Sequence, residues 1–126
     1  MTSDLYQEII LEEYSNPKHK GQLEDADVKV SQTNASCGDE VEVFVKFNHQ
    51  NDKIEKVSWR GVGCAISMAT ASLVSDLIIG KTRQQVLLLD QRDLEALLGI
   101  DEISPGRKKC LLLALKAFQK AVQKGM

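Results

Sequence analysis

A short run of strict alternation constrains the fold of this chain more than any other feature of its sequence. Every second position from residue 41 to residue 47 is apolar, and these residues are Val41, Val43, Val45 and Phe47. Such period-two spacing is typical of a strand that buries one face. Weaker alternation occurs at 28–32 and again at 54–59, after a polar turn at 48–52. Together the three segments predict an antiparallel meander.

The residues before the predicted sheet have the spacing of a short helix. Leu5, Ile9 and Ile10 provide its apolar stripe. Because proline drives the preceding residue out of the helical region, Pro17 predicts that this helix ends at Asn16.

Three further helices are predicted after the sheet. The first runs from Ile66 to a stop at Gly80, and the second opens at a capping box at 82–85. The aliphatic run 86–89 should belong to that second helix and be buried against the sheet. The last helix starts at 104–105, with serine as N-cap and proline at the first helical position. The order α-β-β-β-α-α-α predicts an α+β fold, a three-stranded antiparallel sheet with helices packed on one face.

The composition fits a single domain spanning residues 1–126. The chain is 43% hydrophobic and 27% charged, and it contains no low-complexity tract that would indicate a linker. Its formal net charge of −2 argues against nucleic acid as the main partner. The basic cluster at 107–109 also lacks the interleaved aromatic residues of a single-strand binding platform.

No segment of the sequence predicts membrane insertion or secretion. The apolar runs fall far short of the roughly 20 residues needed to cross a bilayer. Residues 1–8 are acidic and amphipathic, whereas a secretory signal starts with basic residues followed by an apolar run. We therefore expect a cytoplasmic protein whose thiols are reduced.

Three cysteines carry the strongest functional signal. Cys37 lies in a polar loop between the first two predicted strands, Cys64 lies between the third strand and the next helix, and Cys110 lies in the first turns of the last helix. An odd number of cysteines in a chain with enough aliphatic residues for a core argues against a disulfide framework. All three positions are near the ends of elements, where side chains from different elements can meet. With Asp39 they form a set of three sulfurs and one carboxylate oxygen, which suits zinc, and the thiolates also suit an iron–sulfur cluster.

A purely structural role is the alternative for these cysteines. Free cysteine is among the most buried residue types, and Cys110 precedes three leucines, so its position fits core packing equally well. Cys37 stands in the polar sequence Ser-Cys-Gly-Asp, which offers little reason to bury a thiol. His19 and His49 lie in polar segments and are expected at the surface.

Several motifs of the chain occur in an order that is specific to one protein family. They are Leu5-Tyr6 with Tyr14-Ser15-Asn16-Pro17, Asn34-Ala35-Ser36-Cys37-Gly38-Asp39, Gly61-Val62-Gly63-Cys64-Ala65-Ile66-Ser67, and Pro105, Arg107 and Lys109-Cys110. Through these motifs the chain resembles, nearly end to end, the IscU/SufU (NifU N-terminal-like) proteins of iron–sulfur cluster assembly. The resemblance implies that Cys37, Asp39, Cys64 and Cys110 gather at one exposed end of an α+β fold and hold zinc or a nascent cluster. It also implies a pyridoxal-phosphate cysteine desulfurase as the sulfur donor.

The two branches of this family differ at the third cysteine. Members of the IscU branch have histidine directly before it, near a Leu-Pro-Pro-Val-Lys chaperone motif, whereas this chain has Lys109 there and Ile-Ser-Pro-Gly-Arg at 103–107. The site residues look like the SufU branch, whose members hold zinc and accept sulfur from their desulfurase. SufU proteins carry an extra segment between the second and third cysteines, however, and the spacing from Cys64 to Cys110 is too short to contain it.

From these residues we expect a SufU-like sulfur acceptor, with Cys37 as the accepting thiol and Arg107 orienting Asp39 or stabilising the ligand set. One alternative is an IscU-like scaffold that assembles a [2Fe-2S] cluster and passes it to apo iron–sulfur proteins, with Asp39 as a weak ligand. Another, of a different class, is a zinc-stabilised structural or interaction domain. An enzyme in its own right is not expected, because the sequence shows no general base beside a thiol and no phosphate-binding glycine loop.

Overall fold

A computed structural model of the protein describes residues 4–34, 38–99 and 105–125. Its elements in chain order are α1 (Asp4–Ser15), β1 (Val28–Asn34), β2 (Asp39–Asn48), β3 (Lys53–Val62), α2 (Ala65–Ile78), α3 (Arg83–Leu87), α4 (Gln91–Leu98) and α5 (Pro105–Lys124). The predicted α+β class is confirmed.

The three strands form the predicted antiparallel meander, in the order β1-β2-β3. The register places Val43 of β2 between Val30 of β1 and Trp59 of β3. Val43 and Trp59 are both fully buried. The alternation in β2 therefore marks the face of the sheet that packs on the core.

Two helices cover that face, as the sequence predicted. α5 packs on β1 and β2, and α2 packs on β3 and on α5. Phe118 and Leu111 of α5 and Val74 of α2 lose all contact with solvent in the shared core. The first turn of α2 and the second turn of α5 are in contact, through Ser67 Oγ and the carbonyl of Cys110.

α1 ends at Ser15, as Pro17 predicted, and it packs on α2. The buried residues of α1 include Tyr6 and Ile10, whereas Leu5 of the predicted apolar stripe is 55% exposed. The spacing from Tyr6 to Ile10 is one helical turn, and Tyr6 replaces Leu5 on the inward side.

Helix α4, between α3 and α5 in the chain, was not predicted from the sequence. Asp90 and Asp93 form a reciprocal capping box at its start, and Gly99 ends it in the left-handed conformation with φ 73°. The described residues form four helices after the sheet, so the predicted order with three helices is wrong. The acidic capping pair and the terminal glycine are the signals that could have identified it.

The other predicted helix boundaries are confirmed in part. Thr82 forms the predicted capping box with Gln85. α2 ends in a turn in which the backbone N–H of Lys81 donates to the carbonyl of Ile78, with Gly80 at φ 87°, so glycine is needed there as expected. Ser104, the predicted N-cap of α5, lies outside the described residues.

The prediction that the aliphatic run 86–89 is one buried helix against the sheet is wrong. Helix α3 stops at Leu87 and packs on α5, and Leu88 is 75% exposed. Around this end of α3, the side-chain amide of Gln119 on α5 donates hydrogen bonds to the carbonyls of Val86 and Leu89.

Candidate metal and sulfur site

Cys64 occupies the N-cap of α2. The chain leaves β3 at Val62, and Cys64 adopts extended backbone angles (φ −70°, ψ 165°) directly before the first helical residue. Its Sγ atom accepts a hydrogen bond from the backbone N–H of Ser67 at 3.5 Å, in the manner of an N-cap side chain. The residue is exposed. The fold thus presents this thiol at a helix N-terminus, where the helix dipole favours negative charge.

Asp39 begins β2 and is almost completely buried, with 2% of its surface exposed. Its Oδ1 accepts a hydrogen bond from the backbone N–H of Cys64 at 3.0 Å, and its Oδ2 accepts one from Ser67 Oγ at 2.6 Å. A Cβ atom at position 63 would lie 2.7 Å from Asp39 Oδ1, so Gly63 leaves the space that the carboxylate occupies. A buried carboxylate needs such partners to remain charged away from water.

Cys110 lies in the second turn of α5 and is 6% exposed. Its backbone carbonyl is 3.4 Å from Ser67 Oγ, so α5 is in contact with the first turn of α2. The ligand atoms of Asp39, Cys64 and Cys110 all lie within 4.8 Å of one another. The predicted convergence of these three residues is present in the fold.

The separations suit a tetrahedral metal ion. Cys64 Sγ and Asp39 Oδ2 are 3.8 Å apart. Zinc at about 2.3 Å from sulfur and about 2.1 Å from oxygen places neighbouring ligand atoms roughly 3.5–3.8 Å apart. Two sulfurs and one carboxylate oxygen leave one position of a tetrahedron to be filled by a further residue or by an exogenous ligand.

Two predicted site residues need separate description. Cys37 lies outside the described residues, so its membership of the site stays a prediction. The residue after it, Gly38, has φ 72°, a conformation that favours glycine, and leads directly into Asp39. Arg107 lines a groove together with Cys64 and Cys110.

That groove, of about 760 Å³, opens beside the two described thiols. One wall is formed by α1, through Tyr6, Ile10 and Leu11, and the opposite side includes the start of α2 and Arg107 of α5. Leu11 is 65% exposed. The site is therefore bordered by apolar surface that a partner or ligand can reach.

Ser67 belongs to this group of site residues, although the sequence alone indicated no role for it. It stands at the third position of α2 after the Cys64 N-cap, is 1% exposed, and contacts Asp39, Cys64 and Cys110. Its position three residues after a cysteine N-cap is the signal that places its side chain back toward the helix start.

The histidines lie on the surface, as predicted. His19 and His49 are exposed residues, and His19 Nε2 is 3.0 Å from Asp76 Oδ1. Neither belongs to the group formed by Asp39, Cys64 and Cys110.

Comparison with known proteins identifies the family. The family model for NifU-like N terminal domains matches residues 5–125. The chain belongs to the NifU-like N-terminal domain family. This match covers every described element after the first residue of α1, and it confirms the resemblance drawn from the motifs.

Curated and solved relatives of this NifU-like chain carry closely related names. It is 35% identical to the zinc-dependent sulfurtransferase SufU of Bacillus subtilis, across 95% of the chain and 90% of the relative. It is 32% identical to the iron–sulfur cluster assembly scaffold protein IscU of Aquifex aeolicus, across 94% of the chain and 74% of that relative. A crystal structure described as a putative SUF-system scaffold protein from Fervidobacterium islandicum superposes with a TM-score of 0.76 at 31% identity, covering 94% of this chain and 97% of that one.

The lengths of the two alignments differ. The alignment with SufU runs over 137 positions, more than the 126 residues of this NifU-like chain, whereas the alignment with the Aquifex protein runs over 118. The SufU relative therefore contains residues that have no counterpart here.

Among the described residues, no helix has the length and apolar character required to traverse a membrane.

Proposed function

We propose that this protein takes part in iron–sulfur cluster assembly by holding zinc at Cys37, Asp39, Cys64 and Cys110 and by accepting sulfur from a cysteine desulfurase. The observation that carries the proposal is the convergence of the Asp39, Cys64 and Cys110 ligand atoms within 4.8 Å of one another. The similarity to a zinc-dependent sulfurtransferase supports it.

The residues present fit the metal because each has a defined task. Asp39 is held at both carboxylate oxygens, by Cys64 N–H and by Ser67 Oγ. The exposed Cys64 and the buried Cys110 supply sulfur from two helices that the core fixes relative to each other. Zinc, when bound, would keep the thiols deprotonated and protect them from oxidation.

The sulfur transfer step is thiol exchange. The Cys37 thiolate attacks the outer sulfur of the persulfide on the donor's cysteine, a new sulfur–sulfur bond forms at Cys37, and the bond between the donor's two sulfurs breaks. The donor's cysteine leaves as a thiolate, so electrons balance and no oxidant is required. The protein gains one sulfur atom and is an acceptor in a group transfer, not an enzyme that turns over alone.

Cys37 is the proposed acceptor because the other two thiols are constrained. Cys64 Sγ is engaged by Ser67 and lies 3.8 Å from Asp39 Oδ2, and Cys110 is 6% exposed within α5. An acceptor thiol has to reach a sulfur atom on another protein. Cys37 precedes Gly38, where the backbone turns with φ 72°.

The apolar groove beside the site is the proposed approach for the donor. Its exposed Leu11 gives the desulfurase a surface to bury, and Arg107 adds a positive charge beside Cys64 and Cys110. We propose that Arg107 stabilises the thiolates during exchange. Apo iron–sulfur proteins would receive the sulfur or cluster at a later step, in the cytoplasm.

A persulfide-transfer assay with single cysteine-to-serine variants tests this function. The donor desulfurase is loaded with sulfur-35 from labelled cysteine, and label on the acceptor is measured after non-reducing electrophoresis. We expect Cys37→Ser to abolish labelling while its circular dichroism spectrum stays that of the parent. Labelling that persists in Cys37→Ser would contradict the assignment of the acceptor. If wild type is never labelled and the three serine variants lose the fold equally, the protein is a zinc-stabilised structural domain.

A cluster scaffold is the second candidate, and the similarity to relatives named iron–sulfur cluster assembly scaffold protein IscU favours it. In this function the same thiolates bind a [2Fe-2S] cluster as cargo, and Asp39 is the weak ligand that permits release.

Replacing that weak ligand tests the scaffold candidate. Asp39→Ala should lengthen the lifetime of a cluster reconstituted without oxygen, measured as the decay of its visible absorption in the presence of a chelator. An unchanged or shorter lifetime would count against the scaffold role of Asp39.

A further inference from the structure

Ser67 places a single hydroxyl group at the centre of the site. Its Oγ lies 2.6 Å from Asp39 Oδ2, 3.4 Å from Cys64 Sγ and 3.4 Å from the Cys110 carbonyl oxygen. The residue is 1% exposed, so water does not compete for these contacts.

The hydroxyl carries one hydrogen and therefore donates to one acceptor at a time. The shortest of its contacts, to Asp39 Oδ2, is in the range of a charge-assisted hydrogen bond. With Cys64 N–H on Oδ1, this bond prevents rotation of the carboxylate and keeps Oδ2 beside Cys64 Sγ. Oδ2 also accepts a long hydrogen bond from the Cys64 thiol at 3.8 Å, and a metal ion held by Cys64 as a thiolate would take the place of that hydrogen.

We propose that Ser67 is a positioning residue of the metal site, which acts by holding Asp39 Oδ2 in the orientation that completes the ligand set with Cys64 and Cys110. The inference rests on the proposed function and adds a residue to it. Hydrogen-bond partners that orient metal ligands typically raise metal affinity by about 10–100-fold. Ser67 therefore determines how tightly Asp39 binds the metal ion and how readily Asp39 releases it.

Neighbouring serines on α2 show what a purely structural hydroxyl looks like. Ser75 is fully buried and donates to the carbonyl of Ser72 at 2.7 Å, within its own helix, with a second contact to the Lys18 carbonyl. Both of its acceptors lie away from Asp39, Cys64 and Cys110. Ser75→Ala is therefore a matched control, since it removes a buried hydroxyl from the same helix.

Zinc affinity measured by competition with a chromogenic chelator tests the proposal. The full chain is compared as wild type, Ser67→Ala, Asp39→Ala, the double variant and Ser75→Ala. We expect Ser67→Ala to weaken zinc binding about 10–100-fold and Ser75→Ala to change it by no more than about twofold. In the Asp39→Ala background, removal of the Ser67 hydroxyl should have little further effect, because its target is gone.

Ser67→Thr provides a rescue, because threonine keeps the hydroxyl and should restore most of the lost affinity. Thermal unfolding of each metal-free variant shows whether it is folded. If Ser67→Thr does not fold, the cycle between Ser67→Ala and Asp39→Ala decides the question alone.

Two results would overturn the inference. One is a folded Ser67→Ala variant that binds zinc as wild type does. The other is a loss of affinity that is equally large with and without Asp39, which would assign Ser67 a structural role. If wild type itself binds no zinc, the proposed function fails and the inference fails with it. If Asp39→Ala weakens zinc binding but Ser67→Ala does not, the inference alone is overturned.

Discussion

At the scale of single residues, the position of Asp39 depends on what is missing at position 63. The carboxylate fills the space that a side chain there would take, and the adjacent backbone N–H of Cys64 then donates to it. One glycine therefore serves two purposes, because it admits the buried charge and brings the donor that stabilises it.

Replacing Gly63 tests this dependence. Gly63→Ala would place a Cβ atom 2.7 Å from Asp39 Oδ1 and 2.9 Å from its Cγ, so the carboxylate has to move. We expect zinc affinity to fall about 10-fold or more, in line with the loss of a ligand-orienting contact. Competition titration measures it, and circular dichroism checks that the sheet persists. Affinity equal to that of wild type would show that Asp39 does not need its present position.

At the scale of elements, α1 has one face in the core and another beside the site. Tyr6 and Ile10 are buried, whereas Leu11 is 65% exposed and lines the groove next to Cys64. Leu11 is therefore available to a protein that docks in this groove.

Leu11→Ser should weaken docking of the desulfurase without loss of zinc. We expect the desulfurase concentration that gives half-maximal labelling to rise several-fold, because less apolar surface is buried on association. Leu88→Ser is the matched control, since Leu88 is 75% exposed and does not line the groove. Equal effects of the two substitutions, or no effect of Leu11→Ser, would exclude the groove as the docking surface.

A buried charge fixes α1 to α2. Glu13 is only 7% exposed. It accepts a hydrogen bond from Ser72 Oγ at 2.7 Å and forms an ion pair with Lys18 Nζ at 2.8 Å. The backbone N–H of Lys18 in turn donates to Ser72 Oγ at 2.7 Å, and its carbonyl accepts from the indole of Trp59. These bonds connect α1, α2 and the core face of β3.

Glu13→Gln removes the charge from this network while keeping its shape. We expect the free energy of unfolding to fall by about 1–3 kcal/mol, the range for hydrogen bonds to charged groups, toward the lower end because Lys18 is 43% exposed. Denaturant titration of the metal-free protein measures it. Glu12→Gln on the exposed side of α1 should have almost no effect, and similar values for the two variants would show that the buried charge adds nothing.

At the scale of the whole molecule, the sequence predicts those features that depend on local periodicity. Alternation in β2 predicted the sheet, Pro17 predicted the end of α1, and Thr82 predicted the start of α3. Local periodicity does not predict which side chains of different elements come into contact. Gln119 of α5, for example, donates to the carbonyls of Val86 and Leu89 on either side of the exposed Leu88, and the apolar run does not indicate this contact.

The site shows the same division. The residue types and their place near element ends identified Asp39, Cys64 and Cys110, and the fold brings these three together. Ser67 received no role, because a serine inside a helix is ordinary in sequence and becomes informative only when α2 lies against Asp39 and Cys110.

Elemental analysis tests most directly whether the cysteines and Asp39 hold a metal ion, as we propose. Zinc, iron and acid-labile sulfide are measured per chain in protein purified without oxygen, for wild type and for Cys64→Ser. We expect about one zinc ion per wild-type chain with no sulfide, and a large loss of zinc in the variant. Iron and sulfide in near-equal amounts would favour the scaffold over the acceptor. Wild-type protein containing neither zinc nor iron, or zinc retained in full by Cys64→Ser, would contradict the claim.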